Sequence, residues 1–316
     1  MKLLKYIIGI LMLGTFVSCE DFFYTSVKVE PPSYKKSIVV NMYITDNDSV
    51  LRASVSRNIG ALEAVDKMDL LLYDATVVVK DETGEVLGVM DTITPEQGSV
   101  VNYSLVLDSA FGGNGKCFTL EITHPDFGKA TATQIMPQKP LISHPVYKLN
   151  GGVDINGDPF NQVSFILHDQ AGEENFYQIK LLYKNKQEGY TCPIDIDTDD
   201  PVYARSYDYT ALLLQDKTFE GVDFPVKLKA YYPDYDKGEE NGDIINQAGD
   251  IPGQIFVEIK GITKDYYLYA RSLQRAENAE EFGLFREPVP VYNNIENGLG
   301  IFGLCAERVE LAEKEY

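Results

Sequence analysis

Residues 37–58 read SIVVNMYITDNDSVLRASVSRN, and this stretch decides the fold class. Residues 37–45 are dense in β-branched and apolar side chains. In residues 51–57, Leu51, Ala53 and Val55 alternate with Arg52, Ser54 and Ser56, the period of a strand with one face buried. Thr45-Asp46-Asn47-Asp48-Ser49 separates the two with turn chemistry. Outward from this pair, residues 75–80 and 85–90 flank the turn Asp81-Glu82-Thr83-Gly84. Residues 100–107 and 116–123 flank Gly112-Gly113-Asn114-Gly115, and residues 129–135 close the set. About seven short strands with turn signals between them, and no helix of any length, predict an N-terminal Ig-like or transthyretin-like β-sandwich over residues 37–136.

Three prolines between Met136 and Pro145 mark a linker, because proline resists both helix and central strand. Beyond it, residues 137–316 predict a second β-rich domain with strands near 162–168, 176–184, 209–214, 226–232 and 254–260. Acidic loops are expected at 195–201 and 234–243. One short helix is expected near 264–282: Thr263 supplies an N-cap, Tyr266, Tyr269, Ala270 and Leu273 form a helical stripe, and Phe282-Gly283 ends it. The tail 287–309 reads as one or two returning strands.

The chain has 316 residues, 44% of them apolar, with 28 Lys+Arg against 48 Asp+Glu and a net charge of −20. A surface this acidic repels phosphate backbones and carries no basic patch for anionic lipid, so nucleic acid is excluded as a partner. With 21 Tyr and 15 Phe, the chain is too aromatic for an acidic disordered protein.

Residues 1–18 begin with two lysines, continue through an apolar run too short to span a bilayer, and end on Ser18 before Cys19. They read as a secretory signal; the alternative is a short uncleaved anchor. Phe16-Val17-Ser18-Cys19 resembles a bacterial lipoprotein box, in which Cys19 becomes the lipidated N-terminus and holds the protein to the outer membrane. Glu20 and Asp21 resemble the surface-export signal of Bacteroidetes lipoproteins, which favours the cell surface over the periplasmic face. Residues 19–36 then form a tether of roughly 50 Å when extended.

Cys117, Cys192 and Cys305 remain, an odd number that permits one internal disulfide at most. Cys192–Cys305 is the favoured pair; the alternative is three small buried hydrophobes. No cofactor is expected. Asp195, Asp197 and Asp199 take the first, third and fifth positions of an EF-hand-like loop. However, Asp200 and Ser206 stand where glycine and glutamate belong, so calcium competes with a plain solvated loop. Residues 111–116 imitate a phosphate loop, yet Ala110 and Cys117 break the pattern, and the segment reads as a hairpin turn. Tyr203, Tyr207, Tyr231, Tyr232 and Tyr235 are candidate ligand contacts, since tyrosine joins a large apolar face to a polar tip; the alternative is that they cover a sheet. His124, His144 and His168 fall in no local catalytic motif, so a hydrolase would need residues assembled from distant positions.

The order of features is also familiar. The lipoprotein box is followed by Ile44-Thr45-Asp46, Asp74-Ala75-Thr76-Val77, the run 214–221, the helix over 265–272, and a tail reading Tyr292-Asn293-Asn294-Ile295-Glu296-Asn297-Gly298-Leu299-Gly300-Ile301-Phe302-Gly303. Together these resemble the Bacteroidetes lipoprotein family of unknown function numbered 4249, over nearly the whole mature chain. The resemblance implies association with TonB-dependent outer-membrane receptors and no established catalytic residue. The expected role is a non-enzymatic binding or accessory lipoprotein of nutrient uptake, with a structural or adhesin-like module as the alternative and an enzyme third. The sequence names no ligand.

Overall fold

The computed structural model describes residues 34–60, 63–154, 157, 159–185, 189–231, 253–280 and 289–315. The signal segment, Cys19, most of the tether, the acidic stretch 234–243 and the expected helix end at Phe282-Gly283 lie outside the described residues. The chain divides into a small unit of residues 1–35 and 59–64 and a large unit holding the rest. In the small unit the Tyr34 hydroxyl donates to the Glu63 carboxylate, which also accepts from the Gly60 N–H at 3.3 Å.

In the large unit, the first half contains β1 (Ile38–Thr45), β2 (Val50–Arg57), β3 (Thr76–Lys80), β4 (Val86–Val89), β5 (Asp91–Thr92), β6 (Tyr103–Val106), β7 (Cys117–His124) and β8 (Gly128–Ile135). The second half contains β9 (Leu141–Val153), β10 (Pro159–His168), β11 (Phe176–Asn185), β12 (Thr191–Asp197), β13 (Ala204–Arg205), β14 (Ala211–Gln215), β15 (Asp223–Tyr231) and β16 (Gly253–Ile262). A helix, Lys264–Glu280, then leads to β17 (Leu299–Leu311) and β18 (Glu313–Glu315). The protein is mainly β, as the alternation predicts.

The first core forms where β17-β1-β2-β6-β5 faces β4-β3-β7-β8. Ile38, Val40, Met42 and Ile44 are wholly buried because the strand period sends every second side chain inward. Ile295, Phe302, Leu304 and Ala306 belong to the same core, so residues 37–136 complete their sandwich with the chain's end. The segment 111–116 joins β6 to β7, which lie in different sheets; it is a crossover between layers rather than the expected hairpin turn.

The second core sits inside a ring of pairings, β9-β10-β15-β12-β11-β16 with β17 and β18 closing it. Two strands make the corners. β12 pairs with β11 through Ile194 and with β15 from Asp195, while β17 leaves β16 at Leu311 and β18 joins β9 from Glu313. The linker is shorter than expected, because β9 starts at Leu141 and contains Pro145. Ser143 pairs with Ile166 and Val146 with Ser164, so His144 (φ 54°) and Pro145 form a bulge, where a residue without an N–H breaks no ladder.

β17 serves both halves. Residues 299–305 run parallel to β1, and residues 305–311 run antiparallel to β16. Gly300 sits opposite Val40 at φ 109°, and a Cβ built there would lie 1.9 Å from the Val40 carbonyl oxygen. Only glycine fits. Gly300→Ala is therefore expected to destabilise the fold by about 3 kcal/mol or more. The urea midpoint checks this; an unchanged midpoint contradicts the pairing.

Outside the ring, Lys260 reaches Glu258 at 2.7 Å and Glu307 at 3.1 Å, all three largely buried. Although burial pushes its carboxyl up, Lys260 and the surrounding hydrogen bonds hold Glu307 below the usual glutamate range. A depressed carboxylate stabilises above its unfolded pKa and loses that contribution as pH falls through its folded value. Lys260→Met should thus cost about 3–5 kcal/mol at pH 7. The loss should shrink as pH falls below the usual glutamate range and Glu307 protonates. A pH-independent loss would show that the lysine acts through packing alone.

Candidate functional site

Two residues singled out by sequence, Asp199 and Tyr203, meet at one pocket of about 380 Å³ on the outer face of β10 and β15. Phe160, Gln162, Thr198 and Lys229 share its wall. Gln162 and Lys229 are directly opposite in register, and the strand period turns Phe160 to the same side. The Lys229 ammonium contacts Asp199 at 2.7 Å and stands 5.2 Å from the centre of the Phe160 ring. The hydrogen bond to Asp199 raises the Lys229 pKa. Lys229 is 8% exposed, whereas the Asp199 side chain is 72% exposed, so the carboxylate is the part a solute meets. Tyr231, two residues along β15, presents a ring that is 40% exposed beside them. The wall combines an aromatic face, an ammonium, a carboxylate, an amide and a hydroxyl within one small volume.

The EF-hand-like spacing of Asp195, Asp197 and Asp199 does not build a continuous loop. β12 continues through Asp195 to Asp197, so these carboxylates lie on a strand and not in a loop that wraps an ion. Asp197 is bound by Arg205, and Asp199 by Lys229. Among the described residues no group of three or more acidic, histidine or cysteine side chains has metal-binding geometry. Melting temperatures in millimolar EDTA and millimolar calcium are expected to coincide. A rise with calcium would restore the metal reading.

The tyrosines divide. Tyr231 is exposed, Tyr203 packs partly against the second core beside Phe224, and Tyr232 and Tyr235 lie outside the described residues. Tyr207 is not a surface contact. It packs under the helix, where its hydroxyl hydrogen-bonds with Tyr43 and Tyr266, and burial raises all three pKa values. Tyr43 and Tyr266 rings stand 5.1 Å apart, and the Tyr269 hydroxyl donates to Asn41 at 3.2 Å. The stripe Tyr266, Tyr269 and Ala270 is thus the helix's seat on the sheet, with Thr263 Oγ1 accepting the Tyr266 N–H at 3.4 Å as the cap. The Cys192–Cys305 pairing is also corrected: Cys117, Cys192 and Cys305 are free thiols. Cys305 is buried beneath the helix, while Cys192 packs against the second core.

A second, larger cleft of about 760 Å³ lies along residues 137–141, the turn from β10 to β11 and the start of the helix. His168, Asp169, Asn175, Tyr177, Gln138 and Lys264 are among its walls. Sequence reasoning missed Phe160, Lys229 and this cleft, because their positions depend on strand register.

The residues of the C-terminal tail have structural work. Asn294 both accepts from the Phe302 N–H and donates to the Phe302 carbonyl at 2.9 Å, imitating a strand partner. Asp265 gathers Gln134, Tyr292 and Asn294 around the helix start. The model of a domain of unknown function, DUF4249, matches residues 24–310. The chain belongs to the DUF4249 family. No curated protein matches it in sequence. Among solved structures, this DUF4249 chain is similar to a Salmonella alpha-2-macroglobulin mutant (11% identity, TM-score 0.22, covering 88% of this chain and 15% of that one). It is also similar to Salmonella alpha-2-macroglobulin reacted with methylamine (12%, 0.22, 75% and 14%) and to the BSP domain of a biofilm associated protein (7%, 0.19, 91% and 62%). The chain spans about a seventh of the macroglobulins' length, and likeness at these scores carries no functional argument.

Proposed function

We propose that this DUF4249 protein is an outer-membrane lipoprotein, tethered through Cys19 at the cell surface, that binds a ligand for a TonB-dependent uptake system. The sequence Phe16-Val17-Ser18-Cys19, with Glu20 and Asp21 after it, supports the anchor and its face. The observation that carries the binding role is the Phe160–Lys229–Asp199 pocket. At about 380 Å³ it lies within the range of small-molecule sites, and its ring, ammonium and carboxylate suit a small polar ligand with both donors and acceptors. A tether places such a site beside its receptor at high effective concentration. A Bacteroidetes source fits the lipoprotein features of the N-terminus.

A structural or adhesin-like role is the second reading, favoured by one observation. β4 is an edge strand, and Val86, Leu87 and Val89 on it are exposed. Such an edge invites pairing with another chain.

Affinity capture of the lipidated protein from its native outer membrane separates the two. Recovery of one TonB-dependent receptor in near-equal amount is the expected result, with loss of membrane attachment in Cys19→Ser. Recovery of other surface proteins that depends on Val86, Leu87 and Val89, without a receptor, would overturn the uptake role in favour of the structural one.

A further inference from the structure

Ser143, His168 and Asp223 sit on three neighbouring strands and form one hydrogen-bonded line. His168, the last residue of β10, pairs with Leu141 of β9 on one side and Asp223 of β15 on the other. Ser143 lies two residues along β9, on the same outer face. Its Oγ is 2.7 Å from His168 Nε2, and His168 Nδ1 is 2.6 Å from Asp223 Oδ1. An ionised carboxylate only accepts, so in the neutral imidazole Nδ1 carries the proton and Nε2 offers a lone pair to the serine hydroxyl. That is the tautomer a general base needs.

His124 makes a useful contrast. Its Nδ1 accepts the Asp126 N–H at 3.0 Å, so Nε2 holds the proton and gives it to Asp74 at 2.8 Å. Both nitrogens are spent, the ring is 4% exposed, and it stacks on Phe127. His124 is structural. The His168 side chain is 30% exposed instead, and it lines the 760 Å³ cleft together with Leu141 and Asp169.

We propose that Ser143 is the nucleophile of an acyl-ester hydrolase site, with His168 as general base and acid and Asp223 as the positioning residue that fixes the imidazole tautomer. Ser143 Oγ attacks the ester carbonyl carbon while its proton passes to His168 Nε2. The tetrahedral adduct collapses, the carbon–alkoxy bond breaks, and the alkoxide leaves with that proton. Water then attacks the acyl-serine and gives a proton to Nε2; the Oγ–carbon bond breaks, Oγ regains the proton, and the carboxylic acid departs. The substrate class is a short-chain acyl ester, because exposed Leu141 and half-buried Ile166 give the acyl group an apolar neighbour and the cleft takes the alcohol part. This activity stands apart from the uptake role, and either can fail alone.

The test uses the full-length protein in detergent, a fluorophosphonate probe and p-nitrophenyl acetate. Labelling mapped by mass spectrometry to Ser143 is expected, and it should vanish in Ser143→Ala and His168→Gln. Asp223→Asn should lower kcat by about 10²–10⁴-fold with KM nearly constant, since an amide donates to Nδ1 and turns the Nε2 proton towards the serine. A role confined to stability would shift the melting temperature and leave labelling intact. No labelling of Ser143 in the folded wild-type protein, or labelling equal in His168→Gln, overturns the proposal and leaves the trio as a cross-strand tie.

Discussion

β1 lies parallel to β17, and the pair holds because Gly300 brings its backbone against the Val40 carbonyl. Parallel neighbours cannot be joined by a tight turn, so this contact brings together segments more than 250 residues apart. β1 is consequently covered on both faces: Val40 and Met42 point into the first core, and Asn41 and Tyr43 meet the helix residues Tyr269 and Tyr266. The same strand β17 then passes to β16, and with β18 it closes the second ring. β17 therefore gives Phe302, Leu304 and Ala306 to the first core, while it meets the second through its backbone pairing with β16 and through Ala312 just beyond it, so both cores depend on the tail.

That dependence explains the tail residues on which the family resemblance rests. Asn294 substitutes for a missing strand partner of Phe302, Gly300 permits the close approach to β1, and Asn297 occupies a left-handed turn at φ 58°. These are demands of folding. The two proposed sites lie instead on the outer faces, where register sets which side chains meet: Phe160, Lys229 and Asp199 at one end of β10 and β15, and Ser143, His168 and Asp223 at the other.

The alternation of residues 37–58 was enough to place β1 and β2, because a strand with one buried face writes its period into the sequence. The helix was legible for the same reason, with Tyr266, Tyr269 and Ala270 on one side. Partners distant in sequence were not legible. Nothing local in Ser143, His168 or Asp223 announces a triad, since a β-sheet assembles its neighbours through register alone. Asp195 and Asp197 misled because acidic composition suggests a loop, while Ile194 and Ile196, both buried, already carried the strand period through them. Tyr207 misled because composition does not state which face a side chain takes. By composition Pro145 belongs to a linker, but a bulge at His144 accommodates it within β9.

Hydrogen exchange read by mass spectrometry on the intact protein addresses the shared strand most directly. Amides of β1, of both segments of β17 and of β16 should exchange only through one cooperative opening, with the same denaturant dependence in both cores. Two separate openings, in which residues 38–135 lose protection while the second ring and β17 retain theirs, would contradict the dependence of both cores on a single strand.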